Sequence, residues 1–141
     1  MSAAAGGCLC GGVRFTVQGA LRPVIACHCS QCRRWTGGYL MTTEAANADI
    51  EFAAADTLTW YASSAEAERG FCGRCGSVLF WRRTTGARTH ISLLAGALDP
   101  PTGLRLQAHI FVADKSDFYD ITDGLPQAAH WPERQHVKDD G

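Results

Sequence analysis

Hydrophobic and polar positions alternate in short stretches along the chain, and the clearest stretch begins at Val13. Val13, Phe15 and Val17 are apolar, whereas the residues between them are polar. This period of two is typical of a strand with one buried face. Five more runs are rich in Thr, Val, Ile and aromatic residues and are bounded by Gly, Pro or Asp, which favours strands. They begin at Tyr39 (YLMTTE), Thr57 (TLTWYA), Ser77 (SVLFWRR), Thr89 (THISLLAG) and Leu104 (LRLQAHIFV).

Helical patterns are confined to two short stretches. One is SQCRRWT, a single turn that Ser30 could cap, and the other is SAEAE near Ser64. We therefore predict a mainly β fold of short antiparallel strands with one or two short helical turns. No repeat or low-complexity linker interrupts the chain, so we expect residues 1–141 to form a single domain.

Composition and charge exclude several classes of protein. The chain has 141 residues, of which 46% are hydrophobic, and its 14 acidic and 13 basic residues nearly cancel. A nucleic-acid-binding domain would show a basic excess. No apolar run approaches the roughly 18 residues of a membrane span, and MSAAAGG lacks the features of a signal peptide. We expect a soluble, cytoplasmic protein with neither nucleic acid nor a membrane as partner.

The seven cysteines change this picture, because they indicate a metal rather than disulfides. Isolated cysteines are often small core residues, but all seven here fall into three tight groups. The number is odd and nothing indicates secretion, so a full disulfide framework is a poor interpretation.

The first and third groups together predict a closed structural zinc site. Cys8 and Cys10 lie in GGCLCGG, and Cys72 and Cys75 lie in RGFCGRCGS. Zinc holds thiolates in a tetrahedron with Zn–S distances of about 2.3 Å, so paired ligands must approach closely. Glycines beside the cysteines let the backbone curl toward the metal.

The middle group predicts a second zinc with an open position. Cys27, Cys29 and Cys32 supply three thiolates, and strand alternation should point His28 to the opposite side. Three protein ligands and an exchangeable fourth are typical of catalytic zinc. A zinc ion on three thiolates is a weak Lewis acid, so such a site suits a small thiol. That thiol would attack a carbonyl, or a thiol adduct would be taken apart.

The three residues after this group are candidates for binding the substrate. Arg33 and Arg34 could hold a carboxylate of the thiol by paired hydrogen bonds. The alternative that they only face solvent stays open. Trp35 either packs locally or forms a wall of a pocket. The simplest interpretation of the other charged positions is that they are solvated surface residues. These are His130 and His136 in the tail, and Arg82, Arg83 and Arg88 at a hairpin tip.

The combined pattern resembles the glutathione-dependent formaldehyde-activating family. The family's three cysteine motifs are present in order as CLCG, CHCSQCRRWTG and CGRCGS, and HIFVADKSDFYDITDGLP from His109 resembles its closing motif. The resemblance covers roughly residues 7–126 and leaves 127–141 as a tail. One departure is that Phe118 followed by Tyr119 stands where the family usually has a tryptophan.

The resemblance implies a fold of the β-tent kind, shared with Rab-exchange-factor homologues and methionine sulfoxide reductases of the B type. It also implies a structural zinc on Cys8, Cys10, Cys72 and Cys75. A catalytic zinc on Cys27, Cys29 and Cys32 would bring the total to two per chain. The family's name describes the condensation of glutathione with formaldehyde, a carbon–sulfur bond formation classed with the lyases.

Three hypotheses for function follow from these observations. The first is a zinc-dependent carbon–sulfur lyase acting on glutathione or another small thiol and an aldehyde, with His28 or His109 as proton donor. The second is a non-enzymatic zinc-binding module on the same fold, and the third is a thiol-based sulfoxide reductase. An edge strand of a small β domain also offers a surface for a homodimer.

Overall fold

Strands dominate the computed structural model, which describes residues 3–132. One α-helix and three short 3-10 helices accompany them. The helix is α1 (Ser30–Thr36), and the 3-10 helices are Asn47–Asp49, Ala95–Ala97 and Val112–Asp114. The strands are β1 (Ala4–Gly7), β2 (Val13–Val17), β3 (Val24–Cys27), β4 (Leu40–Ala46), β5 (Ile50–Ala55), β6 (Leu58–Ala62), β7 (Ala67–Cys72), β8 (Val78–Arg83), β9 (His90–Leu94) and β10 (Leu106–Ile110).

The strands form two sheets. A three-stranded sheet has the order β1-β2-β5, and a seven-stranded sheet has the order β10-β3-β4-β9-β8-β7-β6. All the paired neighbours are antiparallel except β3 and β10, which run parallel. The prediction of a mainly β fold is confirmed, and the parallel pair is an addition to it. No helix in the described part of the chain is long and apolar enough to cross a membrane.

The two helical predictions are corrected in detail. The helix from Ser30 exists, but its N-cap is Cys29, whose sulfur accepts a hydrogen bond from the backbone. The prediction of a helical turn in SAEAE is wrong, because β7 already begins at Ala67 within that stretch. Ala62 pairs with Glu68 across the antiparallel strands, so the residues between them must reverse the chain. Tertiary pairing overrides the helix propensity of alanine and glutamate there.

The hydrophobic core lies between the two sheets, since it takes side chains from both. The alternation predicted for β2 is confirmed, with its apolar residues buried and its polar residues half-buried. The ring centroid of Phe15 on β2 lies 5.3 Å from that of Phe80 on β8. Cys8 and Cys72 belong to the same buried cluster. One predicted metal site therefore lies at the border of the core.

The positions interpreted as solvated surface divide into three groups. Arg83, Arg88 and His130 are exposed, as expected. Arg82 differs, because its guanidinium lies 3.6 Å from the ring centroid of Trp60 and pairs with Glu68 at 2.6 Å. His136 lies outside the described residues.

Candidate metal sites

The first cysteine cluster joins two distant turns of the chain. Cys8 and Cys10 follow β1, whereas Cys72 ends β7 and Cys75 lies in the turn before β8. The four Sγ atoms all lie within 4.8 Å of one another. The turn closes at Gly76, whose φ of +81° is a left-handed conformation that favours glycine. The predicted set of four ligands is therefore brought together.

Polar hydrogens surround these sulfurs. The backbone N–H groups of Arg74 and Cys75 donate to Cys72 Sγ at 3.4 Å, and Arg74 Nε donates to Cys10 Sγ at 3.3 Å. Hydrogen bonds from Ser77 lower the pKa of Cys75 to about 5. Donors arranged in this way favour thiolates over thiols. Four clustered sulfur donors fit a tetrahedral metal ion, and zinc is the usual occupant of such a set.

The second cluster consists of Cys27 at the end of β3 and of Cys29 and Cys32 on the first turn of α1. Their Sγ atoms also lie within 4.8 Å of one another. Across residues 3–132, no ligand atom of a fourth Cys, His, Asp or Glu joins this group. Cys32 is buried, whereas the other two are half-buried. The donor set fits a metal ion with one position left for another ligand.

Without a metal, the three sulfurs share negative charge unequally. Hydrogen bonds from Cys27 and Cys32 lower the pKa of Cys29 to about 2, and the hydrogen bond with Cys29 raises the pKa of Cys27. One cysteine is thus stable as a thiolate, and its negative charge opposes the ionisation of the other two. A divalent cation removes this opposition, because it attracts all three thiolates.

An arginine that the sequence patterns did not single out contacts the second cluster. Nη1 and Nη2 of Arg69 on β7 lie 3.8 and 3.7 Å from Cys32 Sγ. Its Cζ lies 5.1 Å from the ring centroid of Trp35. Arg69 is the first residue of the motif RGFCGRCGS. It lies 37 positions from Cys32 along the chain, so no local sequence pattern indicates this contact.

Arg33 and Arg34 differ in their surroundings. Arg34 is exposed and Arg33 is half-buried. Arg33 Nε is buried and has no hydrogen-bond partner in the described part of the chain. Burial raises the pKa of Tyr119, and the positive charge of Arg33 opposes this rise. Arg33 is therefore the better placed of the two for an anion.

His28 points away from the sulfurs and begins a chain of hydrogen bonds. Its Nδ1 lies 2.6 Å from Tyr119 Oη, and its Nε2 lies 2.9 Å from His109 Nδ1. His109 Nε2 lies 2.8 Å from Asp123 Oδ2. Both imidazoles are almost fully buried, and Tyr39 stacks on His28 with ring centroids 4.5 Å apart. All four ring nitrogens are engaged.

Asp123, at one end of this series of hydrogen bonds, determines which atom donates and which accepts in each of them. The backbone N–H of Leu125 and the contact with His109 lower the pKa of Asp123, so its carboxylate accepts from His109 Nε2–H. For neutral rings, His109 Nδ1 then accepts from His28 Nε2–H, and His28 Nδ1 accepts from the Tyr119 hydroxyl. Burial lowers the pKa of His28 to about 4, which keeps this ring neutral.

The aromatic pair in the closing motif is now explained. Phe118 is 69% exposed, whereas Tyr119 faces His28 and Tyr39. The inward aromatic at this point is therefore Tyr119. Tyr39 and Asp123 were missed as site residues, because only the folded chain brings them to His28 and His109.

Together, the fold and the two clusters define a β-rich protein with one four-cysteine site and one three-cysteine site. Comparison with known proteins agrees. The profile of the glutathione-dependent formaldehyde-activating enzyme family matches residues 3–114, and the chain belongs to this family.

Two known proteins are similar to this chain. A protein of Schizosaccharomyces pombe named as an uncharacterized lyase is 28% identical over 116 residues, which cover 82% of this chain and 83% of that protein. The crystal structure of a Rhodobacter sphaeroides protein superposes with a TM-score of 0.57 at 23% identity, over 73% of this chain and 99% of that one. This second likeness is one of fold.

Proposed function

We propose that this protein is a zinc-dependent carbon–sulfur lyase that joins a small thiol, glutathione or a similar one, to an aldehyde. The same enzyme would take the adduct apart in reverse. The observation that carries the proposal is the second cluster, whose three Sγ atoms lie within 4.8 Å of one another with no fourth donor from the described residues. A site with an open position in a family named for glutathione and formaldehyde supports this chemistry.

The reaction is balanced without an oxidant or a reductant. The thiol loses its proton, the sulfur forms a bond to the carbonyl carbon, the C=O π bond opens onto oxygen, and that oxygen takes up a proton. Zinc bound at Cys27, Cys29 and Cys32 would supply the acidity that holds the incoming thiol as a thiolate. We propose two zinc ions per chain, the other on the four-cysteine site.

Arg33 and Tyr119 have separate tasks in this proposal. Arg33, whose buried Nε has no hydrogen-bond partner among residues 3–132, would bind a carboxylate of the thiol. The Tyr119 hydroxyl would turn from His28 Nδ1 toward the substrate and give its proton to the new alkoxide. His28 and His109 would act only through that hydroxyl, since their ring nitrogens are already engaged.

The direct test follows S-hydroxymethyl adduct formation from glutathione and ¹³C-formaldehyde by exchange NMR. Wild-type protein should raise the exchange rate above the spontaneous rate, and Cys29→Ser should not, because it removes one sulfur ligand. If wild-type protein with two bound zinc ions leaves the rate at the spontaneous value, the named activity is wrong. A zinc-binding module without catalysis would then be the better hypothesis.

The neighbouring arginines provide a matched pair for the binding step. Arg33→Ala should raise the glutathione concentration needed for half-maximal rate, whereas Arg34→Ala should leave it unchanged, since Arg34 is exposed. Losing one charge-assisted hydrogen bond corresponds to roughly 1.5–3 kcal/mol, or about tenfold or more in this concentration. Equal effects of the two substitutions would contradict the assignment of Arg33.

A further inference from the structure

Arg69 is a buried cation without a carboxylate partner. The residue is only 4% exposed, and within residues 3–132 no Asp or Glu oxygen lies within 4.0 Å of its nitrogens. Its Nε has no hydrogen-bond partner there either. Arg22, the other buried arginine among the described residues, has Glu44 at 4.0 Å. An isolated buried charge is strongly unfavourable, so Arg69 requires a negative group nearby.

The groups against the guanidinium leave one candidate for that negative charge. Nη2 donates to the neutral Gln31 Oε1 at 3.3 Å, and the Trp35 ring lies 5.1 Å from Cζ. The third contact is with Cys32 Sγ, which lies within 3.8 Å of both terminal nitrogens. Among these contacts, the sulfurs of the second cluster are the groups that can carry the negative charge.

The charges of a metal-loaded site show why this matters. Three thiolates and a divalent ion leave one net negative charge, which Arg69 neutralises. A fourth, incoming thiolate then makes the site singly negative. Without Arg69, the same ligand would enter a site that is already negative and would make it doubly negative, in a partly buried environment where charge interactions are strong.

We propose that Arg69 is the counter-charge of the Cys27–Cys29–Cys32 site and that it enables a fourth, anionic thiol to join the metal there. Arg69 is a positioning residue, since it touches a ligand sulfur and not the metal or the substrate. The inference rests on the proposed metal site and goes beyond it, because it assigns the thiol affinity of that site to a residue on another strand.

The experiment compares Arg69→Met, which keeps the length of the side chain and removes the charge, with Arg69→Lys, which keeps the charge. Arg82→Met is the matched control, because Arg82 also lies over a tryptophan ring but pairs with Glu68 and not with a sulfur. Zinc affinity is measured by competition with a chelator. Binding of glutathione is followed by ¹¹³Cd NMR of cadmium-loaded protein, in which each site gives its own resonance.

Arg69→Met should weaken zinc binding at the three-cysteine site by about 10- to 100-fold, as loss of an outer partner of a metal site typically does. It should also raise the glutathione concentration that shifts the resonance of that site. The four-cysteine site of the same molecules should keep its affinity and its resonance. Arg69→Lys should bind both zinc and glutathione more tightly than Arg69→Met, and Arg82→Met should match the wild type.

Three results would overturn the inference in distinguishable ways. If the wild-type three-cysteine site takes up no metal, the proposed function fails and the inference fails with it. If the wild type binds metal and thiol, and Arg69→Met binds both equally well, only the inference fails. Equal losses in Arg69→Met and Arg69→Lys would show a packing role and would overturn the charge argument.

Discussion

The sulfur of Cys29 accepts a hydrogen bond from the backbone N–H of Cys32 at a distance of 3.3 Å. The same sulfur lies in the three-cysteine cluster, and Cys29 is the N-cap of α1. The same sulfur atom therefore caps the only α-helix in residues 3–132 and is a candidate metal ligand. Metal binding at this cluster would be coupled to helix formation, because both would use the Cys29 sulfur.

Two substitutions at Cys29 should separate these roles. Serine is a favoured N-cap, so Cys29→Ser should keep α1 while it removes one sulfur donor. Cys29→Ala removes both and should be less stable than Cys29→Ser by about 1 kcal/mol, the usual value of a cap. Zinc per chain by mass spectrometry and chemical denaturation measure the two effects. If Cys29→Ser keeps two zinc ions per chain, Cys29 is not a required ligand.

Loss of the four-cysteine site should unfold the protein, because the site joins Cys10 and Cys72 across 62 positions. Binding of a structural metal becomes folding free energy. Cys72→Ser should therefore lower the thermal midpoint far more than Cys29→Ser does, and excess chelator should lower the wild-type midpoint to the same extent. Differential scanning calorimetry with and without chelator measures both. A midpoint of Cys72→Ser equal to that of Cys29→Ser would show that this site does not hold the fold together.

His28 should remain neutral at pH 5, because burial lowers its pKa from 6.5 to about 4. In the unfolded chain the imidazole has its ordinary pKa and binds a proton in this range. The unfolded state thus binds more protons between pH 6.5 and about 4, and His28 makes the free energy of unfolding fall as the pH falls through this window. ¹⁵N NMR should show a neutral His28 ring at pH 5, with one protonated and one unprotonated ring nitrogen, whereas free histidine in the same tube is protonated. An imidazolium signal from His28 would contradict this prediction.

Phe15→Ala should destabilise the protein by about 3–5 kcal/mol, the usual result of removing a buried aromatic ring. Phe15 is 1% exposed and packs against Phe80 between the two sheets. Phe52→Ala is the control, because Phe52 is 40% exposed and also contacts both of these rings. Urea denaturation should show a large shift of the midpoint for Phe15→Ala and a smaller one for Phe52→Ala. Equal shifts would show that the core is not centred on Phe15.

The strands that the sequence predicted are those with a clear side-chain pattern. All six predicted runs contain strands. β1 was missed because AAGG has no strand propensity and forms only by pairing with β2. Its Gly6 is required by packing, since a Cβ there would lie 2.8 Å from Phe15 Cζ. β5 was missed because its residues are mostly exposed and do not alternate.

The cysteine spacing by itself determined two groups of sulfur donors, one of four and one of three. Within each motif this succeeded because ligands on a short turn lie close together whatever surrounds them, and the first and third motifs were paired because a closed zinc site needs four ligands. Only the tertiary structure decided which polar side chains meet these groups. Arg69 reaches Cys32 from a strand 37 positions away, and Tyr119 reaches His28 across 91 positions. Contacts of this kind depend on the order of the strands in the sheet and on the path of the closing segment, which are set by packing of the whole core and leave no periodic signal in the chain.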